Sequence, residues 1–455
     1  MSNFLYYLAA FALVLGSLII VHEFGHYVVA RRVGVKVLRF SLGFGRVLWS
    51  KRFGRDGTEW AISLFPLGGY VKMLDEREGE VAAEELHRSF NRQSVWRRMA
   101  IVVAGPLANL VLAVVVYWGL FAYGTQEPRP ILGTPSLASP AAAAGIENGE
   151  RVLSVGGEPV QSWQEMRWVF LRRAVDHDSI ELEVINPRNE ITLRRLDLSS
   201  VREAGWEGDA LEKLGIGFFR PRIPAVIGKV GAESAAALAG LLPGDEILQI
   251  DGKPVSGWPD VVRSVRASPA RPLDFEVRRN AERFLVVITP AVVDDKGIQV
   301  GRIGAAVKDP GFSRSELMIT VRYAPLAALG KAVDETWDKS VFSLVMMGKM
   351  ITGEMSWRNI SGPVTIADYA GQSAKLGIAY YLKFLALVSI SLAVLNLLPI
   401  PILDGGHLLY YVLEIVKRRP LSERSMEIGQ QIGLALMLML MACAFYNDIN
   451  RLISG

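Results

Sequence analysis

Four stretches of the chain are apolar for long enough to cross a bilayer: residues 4–30, 99–123, 384–403 and 428–446. Each reaches the roughly 20 residues that a helix needs to cover the hydrocarbon core. Three carry no charged residue, and the only acidic or basic side chains of the first are His22, Glu23 and His26. The first run lacks a basic start and is too long for a cleavable signal peptide. Elsewhere the pattern changes. Residues 58–71 alternate around Trp60, Ile62 and Leu64, which predicts a β-hairpin ending at Gly68-Gly69. Residues 325–351 interleave apolar positions with Lys331, Asp334, Glu335 and Lys349, as expected either of an amphipathic helix lying along the outer membrane surface as a gate or of an ordinary packed helix.

Between residues 124 and 310 the pattern repeats. Residues 139–163 and 234–258 align without gaps at an offset of 95, sharing Ser139/Ser234, Gly145/Gly240, Gly149/Gly244, Gly157/Gly252, Pro159/Pro254 and Trp163/Trp258. Each copy reads as a short helix ending at a glycine cap, then a strand and a tight turn. The predicted fold class is therefore a polytopic α-helical membrane protein, with four transmembrane helices and two α+β domains in one extracytoplasmic loop. The expected order runs as follows: a first transmembrane helix in 1–31, a cytoplasmic loop with its hairpin in 32–97 and a second helix in 98–123. The two repeats take 124–221 and 222–310, and an amphipathic segment takes 311–376. The third helix, a cytoplasmic loop and the fourth helix take 377–416, 417–427 and 428–447.

Charge orients this plan. Arg31, Arg32, Lys36, Arg39, Lys51, Arg52, Arg97 and Arg98 lie between the first two spans, and Lys417, Arg418 and Arg419 between the last two. The positive-inside rule puts both loops in the cytoplasm, and both termini and the repeats outside. The net charge of +4 is small, so a pI near 9 gives no case for nucleic acid. The one cysteine, Cys443, excludes an internal disulfide and a cysteine metal site.

His22-Glu23-Phe24-Gly25-His26 fits HExxH. Residues four apart share a helix face, so both imidazoles reach one zinc ion while Glu23 stands beside it as general base. Ionisable residues within a span are costly and need a functional reason. A hydrolytic zinc commonly takes three protein ligands. Asp404, closing the run Asn396-Leu397-Leu398-Pro399-Ile400-Pro401-Ile402-Leu403-Asp404-Gly405, is the expected third, with His407 as a rival further along.

The HExxH motif, the NxxPxPxLDG run, residues 66–73 (PLGGYVKM) and 104–109 (AGPLAN), and the inserted repeats together resemble the site-two protease family over nearly the whole chain. The resemblance implies that His22, His26 and Asp404 bind zinc and that Glu23 is the catalytic base. It further implies that Asn396, Pro399 and Pro401 shape the substrate channel, and that the hairpin carrying Gly68 and Gly69 re-enters the membrane beside the metal. The implied substrate is a single-span membrane protein, in the bacterial branch an anti-sigma factor already trimmed by another protease, cut in the inner membrane. Ser391 stands where close relatives often have asparagine. The repeats resemble PDZ domains in their bacterial, permuted arrangement. Such domains bind peptide C-termini by strand addition, which directs attention to Leu214-Gly215-Ile216-Gly217 and Gly301-Arg302-Ile303-Gly304 as ligand loops. A membrane-anchored scaffold without activity, or a zinc transporter, is the competing class. Neither has a use for Glu23 together with all three ligands.

Overall fold

The structure is a computed structural model describing residues 2–175, 177–199, 210–219, 223–295, 298–309, 314–419 and 421–454. The domain limits expected at 221/222 and 310 lie outside the described residues. The longer helices are α1 (Ser2–Arg32), α2 (Val95–Tyr123), α3 (Trp163–Ala174), α4 (Trp258–Arg266), α5 (Pro325–Ile351), α6 (Pro363–Leu376), α7 (Ile378–Leu397), α8 (Asp404–Lys417) and α9 (Glu423–Ser454). Four of them, α1, α2, α7 and α9, are long and apolar enough to cross a membrane. Leu13, Val111, Val115 and Leu438 point outward from these helices. Backbone satisfied within each helix and an apolar exterior are what lipid requires.

The third span departs from the expected 384–403. Helix α7 begins earlier and stops at Leu397, and Leu398 is extended (φ −64°, ψ 146°) ahead of Pro399. A proline disfavours helical geometry in the residue before it and has no N–H to continue the ladder. The chain then crosses Pro399–Leu403 without helix, and α8 starts at Asp404. Motif and span are thus two helices joined by a break, as expected of Pro399 and Pro401.

The expected hairpin at 58–71 is also revised. The hairpin pairs β1 (Val37–Phe53) with β2 (Thr58–Met73), and Gly68-Gly69 lies within β2 rather than at a turn. The hairpin is folded back on itself. Residues 39–42 lie opposite both 69–72 and 59–62, while 47–53 pairs with 58–63. The result has four stretches side by side, in the order 69–73, 37–42, 58–63 and 47–53. Gly43 (φ 89°) and Gly45 (φ 86°) supply the left-handed backbone of the fold-over, which a side chain would resist. Phe44, Leu48, Trp49, Ile62, Leu64 and Phe65 are all exposed on this sheet. So large an apolar surface suits contact with lipid.

Strand Thr125–Pro128, leaving α2, pairs antiparallel with Met318–Val321, entering α5. This two-stranded neck brackets the repeats. Both copies build one four-stranded sheet of the same order: Glu158–Pro159, Arg151–Val155, Ser179–Ile185 and Ile191–Asp197 in the first, Lys253–Pro254, Glu246–Ile250, Leu273–Arg279 and Glu282–Ile288 in the second. Each covers its own core, around Phe170 and Leu182 or around Phe275 and Val277. The shared glycines are explained by their backbone: Gly145 and Gly240 (φ 72° and 78°), and Gly149 and Gly244 (92° and 96°), are left-handed. Both copies also bury an acid on an arginine, Glu150 on Arg194 at 2.6 Å and Asp245 on Arg279 at 2.7 Å. In Asp245 burial alone would raise the carboxyl pKa, but the Arg279 hydrogen bonds and a backbone N–H outweigh it and hold the value below the ordinary range.

Candidate metal centre

The centre is assembled by α1, α2 and the start of α8. Helix α1 puts His22 and His26 on one face, each 9% exposed. Helix α2 runs against that face with Ile101, Gly105 and Asn109 four residues apart on one stripe. Close approach is obligatory: a Cβ on Gly25 would overlap the Ala104 carbonyl, and one on Gly105 would overlap His26 Nε2. The small residues are what allow the histidines to lie between two helices.

Asp404 arrives from the other side, in the first turn of α8. Gly405 and Gly406 follow because the Leu398–Leu403 segment folds back over the new helix. A Cβ on Gly406 would lie 2.5 Å from the Ile400 carbonyl oxygen and 2.6 Å from Pro401 Cα. Ile402, two residues before Asp404, has φ 94°, an outlier for a β-branched residue that costs on the order of 1–3 kcal/mol. Span four supports this turn, with Gly433 packed directly on Pro401.

Three ligand-type atoms converge. His22 Nε2 lies 3.2 Å from His26 Nε2 and 3.2 Å from Asp404 Oδ2, which is 3.5 Å from His26 Nε2. A tetrahedral zinc with bonds of about 2.0–2.1 Å separates its ligand atoms by roughly 3.3 Å. Asp404 Oδ2 is buried and has no hydrogen-bond partner among the described residues. Two nitrogens and an unsatisfied carboxylate oxygen at this spacing, with the histidine nitrogens turned toward each other, fit a zinc ion. His26 Nδ1 donates to the Ile101 carbonyl at 2.8 Å, leaving Nε2 with its lone pair. His407 is not among the three converging residues.

Glu23 follows His22 on α1, and β2 passes over it. A Cβ on Gly69 would lie 2.9 Å from Glu23 Cγ, so Gly69 backs directly onto the acid. Gly68 backs onto the Phe44 ring. Asn396 is half-buried in the last turn of α7, Pro399 is exposed and Pro401 half-buried in the break beyond it. Ser391, exposed on α7, donates to the Leu387 carbonyl.

The ligand loops expected in the repeats need one change of register. Leu214 accepts from Ala141 N, and Ile303 accepts from Ala236 N. Gly215 and Gly304, both left-handed, press on the capping serines Ser139 and Ser234. Gly304, not Gly301, is therefore the counterpart of Gly215, and Ile303 that of Leu214. Gly301 instead ends a hairpin packed against the Val265 carbonyl. Ile216 is buried in the first core. In the second copy a groove of about 930 Å³ opens between α4, with Trp258, Val261 and Val265, and residues 303–306.

Sequence reasoning passed over Asn109, Gly105 and the Ile101 carbonyl as parts of the centre. The signal was present for Asn109, a polar amide inside an otherwise apolar span. The model of peptidase family M50 matches residues 10–440. The chain is 41% identical over 453 residues to a regulator of sigma-E protease, RseP, of Salmonella typhimurium strain 14028s, covering 99% of this chain and 100% of that protein. It is 40% identical over 456 residues to RseP of Escherichia coli K12, with 99% and 100% covered. A putative zinc metalloprotease of Xylella fastidiosa strain 9a5c is 44% identical over 438 residues, with 95% and 96% covered.

Proposed function

The chain belongs to peptidase family M50, and from that premise we propose that it is a zinc metalloendopeptidase of the site-two protease type that cuts within membrane-spanning segments. The observation that carries this reading is the convergence of His22, His26 and Asp404 beside Glu23, inside helices apolar enough to span a bilayer. Zinc held by those three residues would supply Lewis acidity, making water nucleophilic near neutral pH and polarising a peptide carbonyl. Glu23 takes the proton of the attacking water and returns it to the leaving nitrogen. The Ile101 carbonyl keeps His26 in the tautomer that presents Nε2.

A helical substrate has its carbonyls bonded internally and must unwind before attack. Residues 69–73 form one edge of the folded sheet, and Gly69 abuts Glu23. An extended segment added along that edge gains backbone hydrogen bonds while its peptide lies near the acid. Asn396, Pro399 and Pro401 would line the opposite wall, where the break in the third span exposes backbone.

The substrate class we assign is a single-span protein of the bacterial inner membrane, an anti-sigma factor already trimmed by another protease. The repeats, read as tandem PDZ domains on the periplasmic side, control its access or bind its C-terminus. The test is cleavage of a panel of single-span substrates, trimmed and untrimmed, by purified protein with a Glu23→Gln control. Cleavage within the span by wild type only is expected. A panel left intact by zinc-loaded wild type sinks the proposal in favour of a scaffold or transporter.

A further inference from the structure

We propose that Asn109 is a positioning residue that fixes His22 in its metal-binding tautomer, a role that rests on reading His22 as a zinc ligand. His22 turns Nε2 toward His26 and Asp404. A neutral imidazole that ligates through Nε2 carries its proton on Nδ1, and that N–H, buried here, needs an acceptor. His26 has one in the Ile101 carbonyl. At His22 Nδ1 the neighbour is the side-chain amide of Asn109, with Nδ2 3.4 Å away.

Asn109 is fully buried, and its Oδ1 has no hydrogen-bond partner among the described residues. An amide nitrogen facing an N–H would leave two donors opposed. Turning the amide by half a revolution exchanges two ends of nearly equal size and brings Oδ1 to the proton on Nδ1. A ligating His22 therefore requires the oxygen of Asn109 at this place. The residue is held for the task. The buried hydroxyl of Ser389 on α7 donates to the Asn109 carbonyl at 2.7 Å, and Gly105, one turn back, clears the space in which the imidazoles meet. A network from the third span through the second thus reaches a ligand on the first.

A plainer role is that of polar glue between helices, and substitutions separate the two. Asn109→Leu keeps the branched shape, in a larger side chain, and removes the acceptor, whereas Asn109→Asp keeps an acceptor at either end. The measurement is zinc affinity of the purified full-length protein in detergent, by chelator competition, with the cobalt(II) absorption spectrum as a second readout. Asn109→Leu is expected to weaken zinc binding by about 10–100-fold, and Asn109→Asp to stay within a few-fold of wild type with its cobalt spectrum unchanged. Wild-type affinity in Asn109→Leu, or equal loss in both variants, overturns the proposal. If Asn109→Leu does not fold, Asn109→Asp decides alone, because a residue needed only as a donor fails with a carboxylate. A different result, wild type binding zinc no better than His22→Ala, would refute the metal site itself rather than the role of Asn109.

Discussion

Gly69→Ala is the smallest change that tests whether β2 positions Glu23, the proposed general base. The added Cβ would lie 2.9 Å from Glu23 Cγ, Ile19 Cγ2 and the Ser41 carbonyl oxygen. Carbon atoms rest comfortably at about 3.5–4.0 Å, so something must move by roughly 0.6–1 Å. Ser41 is fixed by its pairing with Tyr70, and Ile19 lies on the same helix as the histidines. The side chain of Glu23 is the freest of the three and yields first. Gly69 is not in the left-handed region, so alanine adds no backbone strain of its own. A displacement near 1 Å of a reacting group can cost about 100-fold in rate, and turnover should fall by about 10–100-fold. The ligand atoms are untouched and zinc content should remain at the wild-type level. Single-turnover cleavage of a trimmed single-span substrate, run beside metal analysis, measures both. Full turnover in Gly69→Ala would refute the placement of β2 against the base, and loss of zinc would show that the strand supports the ligands instead.

Glu23→Gln should keep zinc and abolish cleavage, and turnover at a tenth of wild type would remove Glu23 from the mechanism. Asp404→Asn should lower zinc content and cleavage together, since an amide is a poorer ligand than a carboxylate, while His407→Ala leaves the zinc in place; the reverse result, read by metal analysis, would make His407 the ligand. Asp245 has a depressed folded pKa, so its stabilisation is complete above the unfolded value near 3.8 and is lost as pH falls through the folded value. Urea unfolding of the second repeat should show Asp245→Asn weaker than wild type at pH 7 and the two converging as pH falls below the unfolded value near 3.8; a gap independent of pH would refute the ion pair as its cause. If docking of the first repeat restricts access, Arg172→Glu, which sets like charges against Asp338 and Glu158, should speed cutting of untrimmed substrate, and a gel assay showing no change counts against it.

Much of this was legible in the sequence because lipid makes sequence unusually informative. Apolar runs have no other use at that length, and the three ionisable groups inside the first run stood out against them. Spacing put His22 and His26 on one face, and the repeat offset of 95 residues matched strands Arg151–Val155 and Glu246–Ile250 at their first residues. The failures have a common cause. Alternation over 58–71 shows that a strand exists but not its partner, which lay upstream in β1. The break after Leu397 was legible, because Pro399 and Pro401 keep a helix from continuing; what the apolar run through 384–403 did not show is that a new helix starts at Asp404. The second ligand loop slipped to Gly301 because the glycine at 304 is identified only by its contact with Ser234. Asn109 gave a signal that was not weighed, and its partner became visible only when α1 and α2 were packed.

The packing also bears on how the repeats relate to the spans. Each repeat has its own core, which by itself calls for few contacts elsewhere, but the first repeat is firmly seated. From α3, Arg172 pairs with Asp338 of α5 at 2.5 Å and Glu165 with Lys331 at 3.1 Å, while Trp168 meets Phe342 edge to face with ring centroids 5.0 Å apart. Lys349 donates to the Val175 carbonyl at the end of α3. Lys339 of α5, half-buried with its Nζ over the Trp168 ring, reaches the Tyr117 hydroxyl of α2 at 2.9 Å, and at the neck buried Glu127 pairs with Lys383 of α7. One chain of contacts therefore runs from the first repeat through α5 to the second and third spans, the same two that supply Asn109 and Ser389 beneath the metal centre. Partly exposed ion pairs of this kind contribute little each, but here they cluster around half-buried Lys339 and an aromatic contact, so they act on one face. Deleting residues 124–310 would strip α5 of its cover and remove one strand of the neck, so loss of activity after such a deletion would not distinguish a filter from a scaffold. A charge reversal at Arg172 also opposes Glu158 within the repeat, but it leaves the apolar core of the repeat and the neck in place, so it separates docking from folding better than a deletion does.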